Sequence, residues 1–131
     1  MIVNSTVIVA RKQFHEEDGS IHLINPIAEM QVPFLPTTVS FTVCSLIVVS
    51  EIESSYEARV TITDKKEKEI LSASGPLNSS NIGERGVLQL NINADDVIIK
   101  NDGTHICELY INEKKVASYS FEIFNKNIDL D

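Results

Sequence analysis

The chain has 131 residues, which is enough for one domain with its own core. Acidic residues outnumber basic ones by 19 to 11, so the formal net charge is −8 at pH 7, and aromatic residues make up 6%. Nucleic-acid phosphates and anionic membranes are bound by clustered cations, and unpaired bases by aromatic side chains. We therefore expect neither a nucleic-acid partner nor a membrane partner.

The first third of the chain alternates apolar and polar residues, which predicts strands rather than helices. One strand is predicted at residues 5–14 and its return strand at 21–27, after a turn that contains Asp18-Gly19. Residues 30–36 include two prolines, which donate no ladder hydrogen bond. We expect this segment to be an extended edge or a crossover between sheets.

The remaining segments predict further strands. Residues 37–52 are apolar on both faces, which indicates a central strand or a bulge near Cys44-Ser45. Residues 55–64 show the cleanest alternation, with Tyr56, Ala58, Val60 and Ile62 on one face. A short strand at 68–74, a strand at 87–99 and a last hairpin at 101–124 complete the series.

Seven to eight strands joined by turn residues predict an antiparallel all-β sandwich, because two sheets can bury their apolar faces against each other. The sequence contains no internal repeat and no linker. We expect a single domain over residues 1–124, followed by a short acidic C-terminal tail at 125–131.

Several segments together resemble a known family. They are VIVA near the start, EEDGSIHLI, the crossover PFLP, ARVTITDKKEKEI, and the closing GTHICELYINEKKV. This layout is similar to an uncharacterised family of small bacterial, and sometimes phage-borne, single-domain proteins. The resemblance implies an immunoglobulin-like sandwich and no activity. This chain has NEKK at the last hairpin, where a glycine-containing turn is typical.

The two cysteines allow two interpretations. Cys44 and Cys107 are spaced as in the disulfide of immunoglobulin domains, with His105 where the corner tyrosine usually lies. However, the chain has no tryptophan to pack on such a bridge, and Cys44 alternates with Thr42 and Leu46 rather than with the expected inward row. We favour two buried free cysteines over a disulfide.

Metal sites and catalysis have little support. His15 and His22 could face each other across the first hairpin, but two histidines and a carboxylate fall short of a zinc site. His105 fits a buried residue that is hydrogen-bonded to the backbone. Asp64, Asp95, Asp96 and Asp102 lack the spacing of a calcium loop. We predict no enzyme, no metal and no cofactor.

The candidate binding site is the predicted irregular segment at residues 75–86, because long loops in compact domains are often functional. Leu77 and Ile82 could anchor a partner or fold back over the end of the sandwich. A sheet edge is a second route, either to a partner protein or to a homodimer. The predicted partner-binding residues are Leu77, Asn78, Ile82, Glu84 and Arg85.

Together these observations predict a non-catalytic protein-binding module. The segment MIVNSTVIVARKQF has no charged stretch before its apolar residues, and no window is apolar enough for a membrane span, so we expect a cytoplasmic protein. One alternative is a calcium-dependent lipid- or carbohydrate-binding sandwich. Another is a phage-encoded protein that engages a host factor.

Overall fold

A computed structural model describes residues 2–18, 21–49, 55–78 and 86–125, which form nine strands. In chain order these are β1 (Ile2–His15), β2 (Ile21–Pro26), β3 (Glu29–Val32), β4 (Thr37–Val49), β5 (Ser55–Thr63), β6 (Glu69–Asn78), β7 (Val87–Ile99), β8 (Gly103–Ile111) and β9 (Lys114–Asn125). No helix capable of crossing a membrane occurs in these ranges.

The strands form two sheets, which confirms the predicted all-β sandwich. One sheet has the order β2-β1-β4-β7 and the other β3-β9-β8-β5-β6. The succession β1-β4-β7 against β9-β8-β5 is the A-B-E and G-F-C arrangement of immunoglobulin domains. In the described ranges the strand pairs are antiparallel except β3 with β9, which is parallel. The strand count exceeds the prediction because residues 29–32 form a short strand before Pro33.

The core lies between the inward rows of the two sheets. The alternation predicted for β5 is confirmed, since its four apolar residues are all buried. The inward row of β8 is buried as well, and it includes His105 and Cys107. The valine, leucine and isoleucine side chains with no exposed surface mark the centre of the core: Val9, Ile47, Val60, Ile62, Leu88, Ile99, Leu109 and Ile123.

One side of the sandwich is closed by hydrogen bonds between the sheets. The chain crosses from β2 to β3 at Ile27-Ala28, where the Ile27 amide donates to the Val9 carbonyl at 2.8 Å and the Glu122 amide donates to the Ala28 carbonyl at 3.0 Å. The Tyr119 hydroxyl donates to the Ile27 carbonyl at 2.6 Å. We call this side, with edge strands β2 and β3, the closed flank.

The ends of β1 and β2 beyond Ala10 fold back as an arm, residues 11–15 and 21–25, over the outer face of the first sheet. Gln13 Nε2 donates a hydrogen bond to Thr42 Oγ1. Ile21 and Leu23 line a cavity of about 220 Å³ against Cys44, Leu46 and Gln89. The arm therefore explains why residues 41–45 of β4 are buried on both faces. The register shift between β4 and β7 lies between Val39 and Phe41, which pair with Val97 and Ala94, so the bulge is in β7 and not near Cys44-Ser45.

The turn between β8 and β9 adopts a hairpin conformation without glycine. Asn112 and Glu113 both have positive φ, 51° and 65°, as a two-residue type I′ hairpin requires. The Asn112 amide donates to the Glu57 carbonyl at 2.8 Å, and Asn112 Oδ1 accepts from the Glu57 amide at 2.9 Å. These two bonds to β5 hold the asparagine in the conformation that glycine usually supplies.

Candidate functional site

The side opposite the closed flank is bordered by β6 and β7, the edge strands of the two sheets. Ala73 and Leu77 of β6 and Leu90 and Ile92 of β7 line one apolar cavity of about 140 Å³. The two edges therefore lie on the same side, with a small apolar opening between them. We call this side, residues 70–78 and 87–94, the open flank.

Strand β7 presents two distinct rows of side chains. Leu88, Leu90 and Ile92 point toward the other sheet, and Leu90 and Ile92 stay half-buried because β6 covers them only in part. Gln89, Asn91 and Asn93 form the opposite row of uncharged amides. The alternation follows from the pairing with β4, where Leu88 lies opposite Ile47 and Ile92 opposite Val43.

The open flank carries no ionisable side chain in residues 70–78 or 87–94, although 23% of the whole chain is charged. Natural edge strands are usually protected by lysine, proline, bulges or short length. On the closed flank β3 has four residues and precedes Pro33, and β2 ends at Pro26. On the open flank β6 contains Pro76, which has no amide to donate to an incoming strand. The first eight residues of β7 have no such protection.

The structure describes two of the five predicted binding residues, Leu77 and Asn78. Leu77 is 5% exposed and belongs to the core, so it is not an exposed anchor in this structure. Asn78 ends β6 opposite Ser55. Ile82, Glu84 and Arg85 lie outside the described residues. The prediction that the irregular segment begins at Gly75 is wrong, because β6 continues through Asn78.

Sequence reasoning missed the edge of β7. Its signal was the absence of charge between Val87 and Ala94. That signal becomes informative only when β7 is known to be the last strand of its sheet, and sheet order depends on contacts between distant segments.

Asp64 fixes the turn that leads from β5 into β6. Its Oδ1 accepts hydrogen bonds from the amides of Lys66 at 2.9 Å and Lys68 at 3.1 Å, and its Oδ2 accepts from Asn101 Nδ2 at 2.9 Å. Burial alone would raise the pKa of Asp64, but these hydrogen bonds outweigh it and hold that pKa below its ordinary value. The carboxylate thus stays charged and positions the start of β6.

Asp64 and Asp102 already have partners within the protein. Both oxygens of Asp64 already accept hydrogen bonds, and Asp102 pairs with Lys65 Nζ at 2.8 Å. The hydrogen bond from Lys65 lowers the pKa of Asp102. Within the described ranges no three His, Cys, Asp or Glu side chains are placed to hold a metal ion.

The histidines occupy three unrelated environments. His15 lies opposite Ile21 and His22 opposite Phe14, so the two histidines point to opposite sides of the arm and do not face each other. His22 stacks on Phe14 with ring centroids 4.6 Å apart. His105 is fully buried, as predicted, with Nδ1 2.9 Å from the Gly103 carbonyl oxygen. Because a carbonyl only accepts, Nδ1 carries the proton, and Nε2 has no partner among the described residues.

Both cysteines are free and buried, as the sequence indicated. Cys107 lies in the core, where burial raises the pKa of its thiol to about 12. Cys44 lies on the outer face of β4 under the arm, and burial raises the pKa of its thiol as well. The two occupy the strands of the immunoglobulin bridge, β4 and β8, but only Cys107 points inward.

Comparison with known proteins gives distant structural neighbours and one family. The CARDB domain of the PF1109 protein from Pyrococcus furiosus, solved in complex with di-metal ions, is 10% identical with a TM-score of 0.48, covering 94% of this chain and 93% of that one. The Pseudomonas fluorescens alkylpurine DNA glycosylase AlkC, bound to DNA containing an abasic site analogue, is 9% identical with a TM-score of 0.46 over 73% of this chain. This chain spans 27% of the AlkC chain.

No curated protein matches the sequence. Residues 5–124 match a defined protein family, which is most of the chain. The chain therefore belongs to DUF6941, a family of unknown function.

Proposed function

We propose that this protein is a non-catalytic protein-binding module that accepts an extended segment as an added strand at the open flank. The observation that carries the proposal is the outer edge of β7, which is uncharged from Val87 to Ala94 and pairs with no other strand among the described residues. Such an edge presents backbone donors and acceptors that an incoming strand can pair with.

The neighbouring side chains suit this mode of binding. In strand addition, backbone hydrogen bonds supply affinity, and pockets for alternate side chains supply specificity. An incoming strand would place every second side chain beside Leu90 and Ile92, over the cavity of about 140 Å³. Its other side chains would lie beside the amides of Gln89, Asn91 and Asn93. The fitting partner is a segment that alternates apolar and neutral polar residues.

The charges next to this edge also restrict the partner. Asp95 and Asp96 follow the uncharged part of β7 directly, and both are exposed. A strand with acidic residues at the facing positions would be repelled, because like charges opposite each other destabilise a ladder. Neutral or basic residues are favoured there.

The chemistry of the described side chains supports a non-catalytic role. Burial raises the pKa values of both thiols, and a nucleophilic cysteine needs a lowered one. His105 is the histidine nearest Cys107 in the chain, and it has no exposed surface. The two free cysteines also suit a reducing compartment, where disulfides rarely persist. We extend the proposal to a cytoplasmic setting on that basis.

The test is photo-cross-linking in cells that produce the full chain. A photoreactive residue replaces Asn93, an exposed residue of β7, and the matched control replaces Ser118, an exposed residue of β9. We expect a discrete cross-linked protein product from position 93 and none from position 118.

Two further substitutions test the edge itself. Adding Leu90→Lys to the position 93 variant should abolish the product. Adding Ile98→Lys, at a 55% exposed position beyond the open flank, should not. Equal products from positions 93 and 118, or none from 93, would refute the proposal.

A further inference from the structure

We infer that the strand bound at the open flank is β7 of a second copy of this chain, paired antiparallel about a twofold axis at Asn91. This inference rests on the proposed function of the open flank and specifies its occupant. The supporting observations are the order of side chains along β7, the distribution of charge and the shape of the flank.

The order of side chains along β7 is self-complementary. With the axis at Asn91, Leu90 lies opposite Ile92 of the second copy, and Gln89 opposite Asn93 of the second copy. The apolar row then meets an apolar row and the amide row meets an amide row. A shift by one residue would set leucines against amides, because strand side chains alternate with period two. The pattern therefore selects a register as well as an edge.

The charge distribution favours this side for contact between two copies. Each copy carries a net charge of −8, so two copies repel each other over most of their surface. Neither residues 70–78 of β6 nor residues 87–94 of β7 contribute to that repulsion, since they hold no ionisable group. Added salt screens the remaining repulsion, so the dimer should tighten as ionic strength rises.

The shape of the flank suits the same contact. Leu90 and Ile92 are half-buried in one copy and line the cavity of about 140 Å³ beside Ala73 and Leu77. Pairing through β7 brings the apolar row of the second copy over this opening. It also joins the two first sheets into one continuous sheet and removes an edge from each copy.

The first experiment is a charge exchange read out by sedimentation velocity over a concentration series of about three decades. Gln89→Glu/Asn93→Glu places carboxylates opposite each other at two equivalent positions of the dimer. Gln89→Glu/Asn93→Lys places opposite charges there and differs by one residue. We expect the first variant to dimerise at least tenfold more weakly than the second, with the second at least as tight as the unmodified chain at low salt.

Two outcomes would overturn the inference. In the first, the unmodified chain remains monomeric throughout the concentration series. In the second, the two variants dimerise with equal affinity. Thermal melting of both variants checks that each is folded. If the chain is monomeric while the photoreactive residue at position 93 captures a different protein, the second copy is excluded and the proposed function stands. If position 93 captures nothing, both fail.

A second experiment tests the axis itself by disulfide formation. Cys44 lies opposite Asn91 within one chain, so the measurement uses a Cys44→Ala background to prevent an internal bridge. In that background Asn91→Cys should form a covalent dimer under mild oxidation, because position 91 meets itself across the axis. The control, Asn93→Cys, should not, because position 93 faces position 89. Covalent dimer from the control and not from Asn91→Cys would overturn the register.

Discussion

The two flanks of the sandwich differ in how their edges are treated. On the closed flank, Ile27-Ala28 and Tyr119 link the sheets by hydrogen bonds, and the edge strands are short or end at proline. On the open flank, β6 and β7 are long, and the space between them is a small apolar cavity. A sandwich of two sheets has four edge strands, each of which can pair with another chain unless it is protected. In this chain the two edge strands of the closed flank are better protected than the two of the open flank. The less protected side is where we propose that a partner strand binds.

The largest effect should come from removing one core side chain on each flank. Leu77→Ala on the open flank and Met30→Ala on the closed flank each delete a buried side chain, 5% and 2% exposed. Each should lower the free energy of unfolding by about 2–5 kcal/mol, measured by urea denaturation. Phe124→Ala, at a 41% exposed position, is the control and should change it by under about 1 kcal/mol. A small effect at Leu77 alone would mean that this residue is free for a partner, as the sequence predicted.

A smaller effect should come from the turn that positions β6 on the open flank. Asp64→Asn replaces one acceptor oxygen by an amide that faces the Asn101 donor, so we expect a loss of about 2 kcal/mol at pH 7. The folded-state pKa of Asp64 lies below its ordinary value of 3.8, so its contribution is complete above that pH. The difference between the two proteins should therefore shrink as pH falls through the folded-state pKa. Denaturation curves between pH 7 and pH 2 measure it, and a constant difference would contradict the assignment.

The smallest effect should come from the hydrogen bond that closes the other flank. Tyr119→Phe removes the donor to the Ile27 carbonyl and should cost about 1 kcal/mol at neutral pH. Burial raises the pKa of Tyr119 above its ordinary value of 10.0, so the contribution is present below that pH and is lost as pH rises through the folded-state pKa. Tyr110→Phe, on the outer face where Arg59 lies 4.0 Å from the ring centroid, is the matched control. An equal cost at Tyr110 would show that the flank bond has no specific effect.

Local patterns in the sequence predicted most of the strands, because alternation directly reports which side chains face the core. The row of Tyr56, Ala58, Val60 and Ile62 is an example. What failed depended on contacts between distant segments. The end of β6 was placed too early because Gly75-Pro76 is typical of a turn, whereas pairing with Glu57 and Ala58 keeps these residues in the ladder.

The candidate site was harder to predict than the fold. Leu77 was expected on a loop, and its place in the core depends on the continuation of β6. The arm over the outer face also could not be read from periodicity, since Ile21 and Leu23 look like an ordinary alternating strand. A strand lies at the edge of a sheet when only one of its sides is paired with another strand. The sequence of residues 87–94 alone does not specify how many strands β7 pairs with.

The opposite orientations of Cys44 and Cys107 have a practical consequence for handling the protein. Cys44 lies on the outer face of the first sheet and Cys107 faces the core from the second sheet, so the two thiols are not placed to form a disulfide within the domain. Dithiothreitol or glutathione should leave its melting temperature unchanged, and no oxidative refolding step should be needed to obtain it. The folded domain therefore gains no stability from an internal disulfide, whichever reductant the buffer contains.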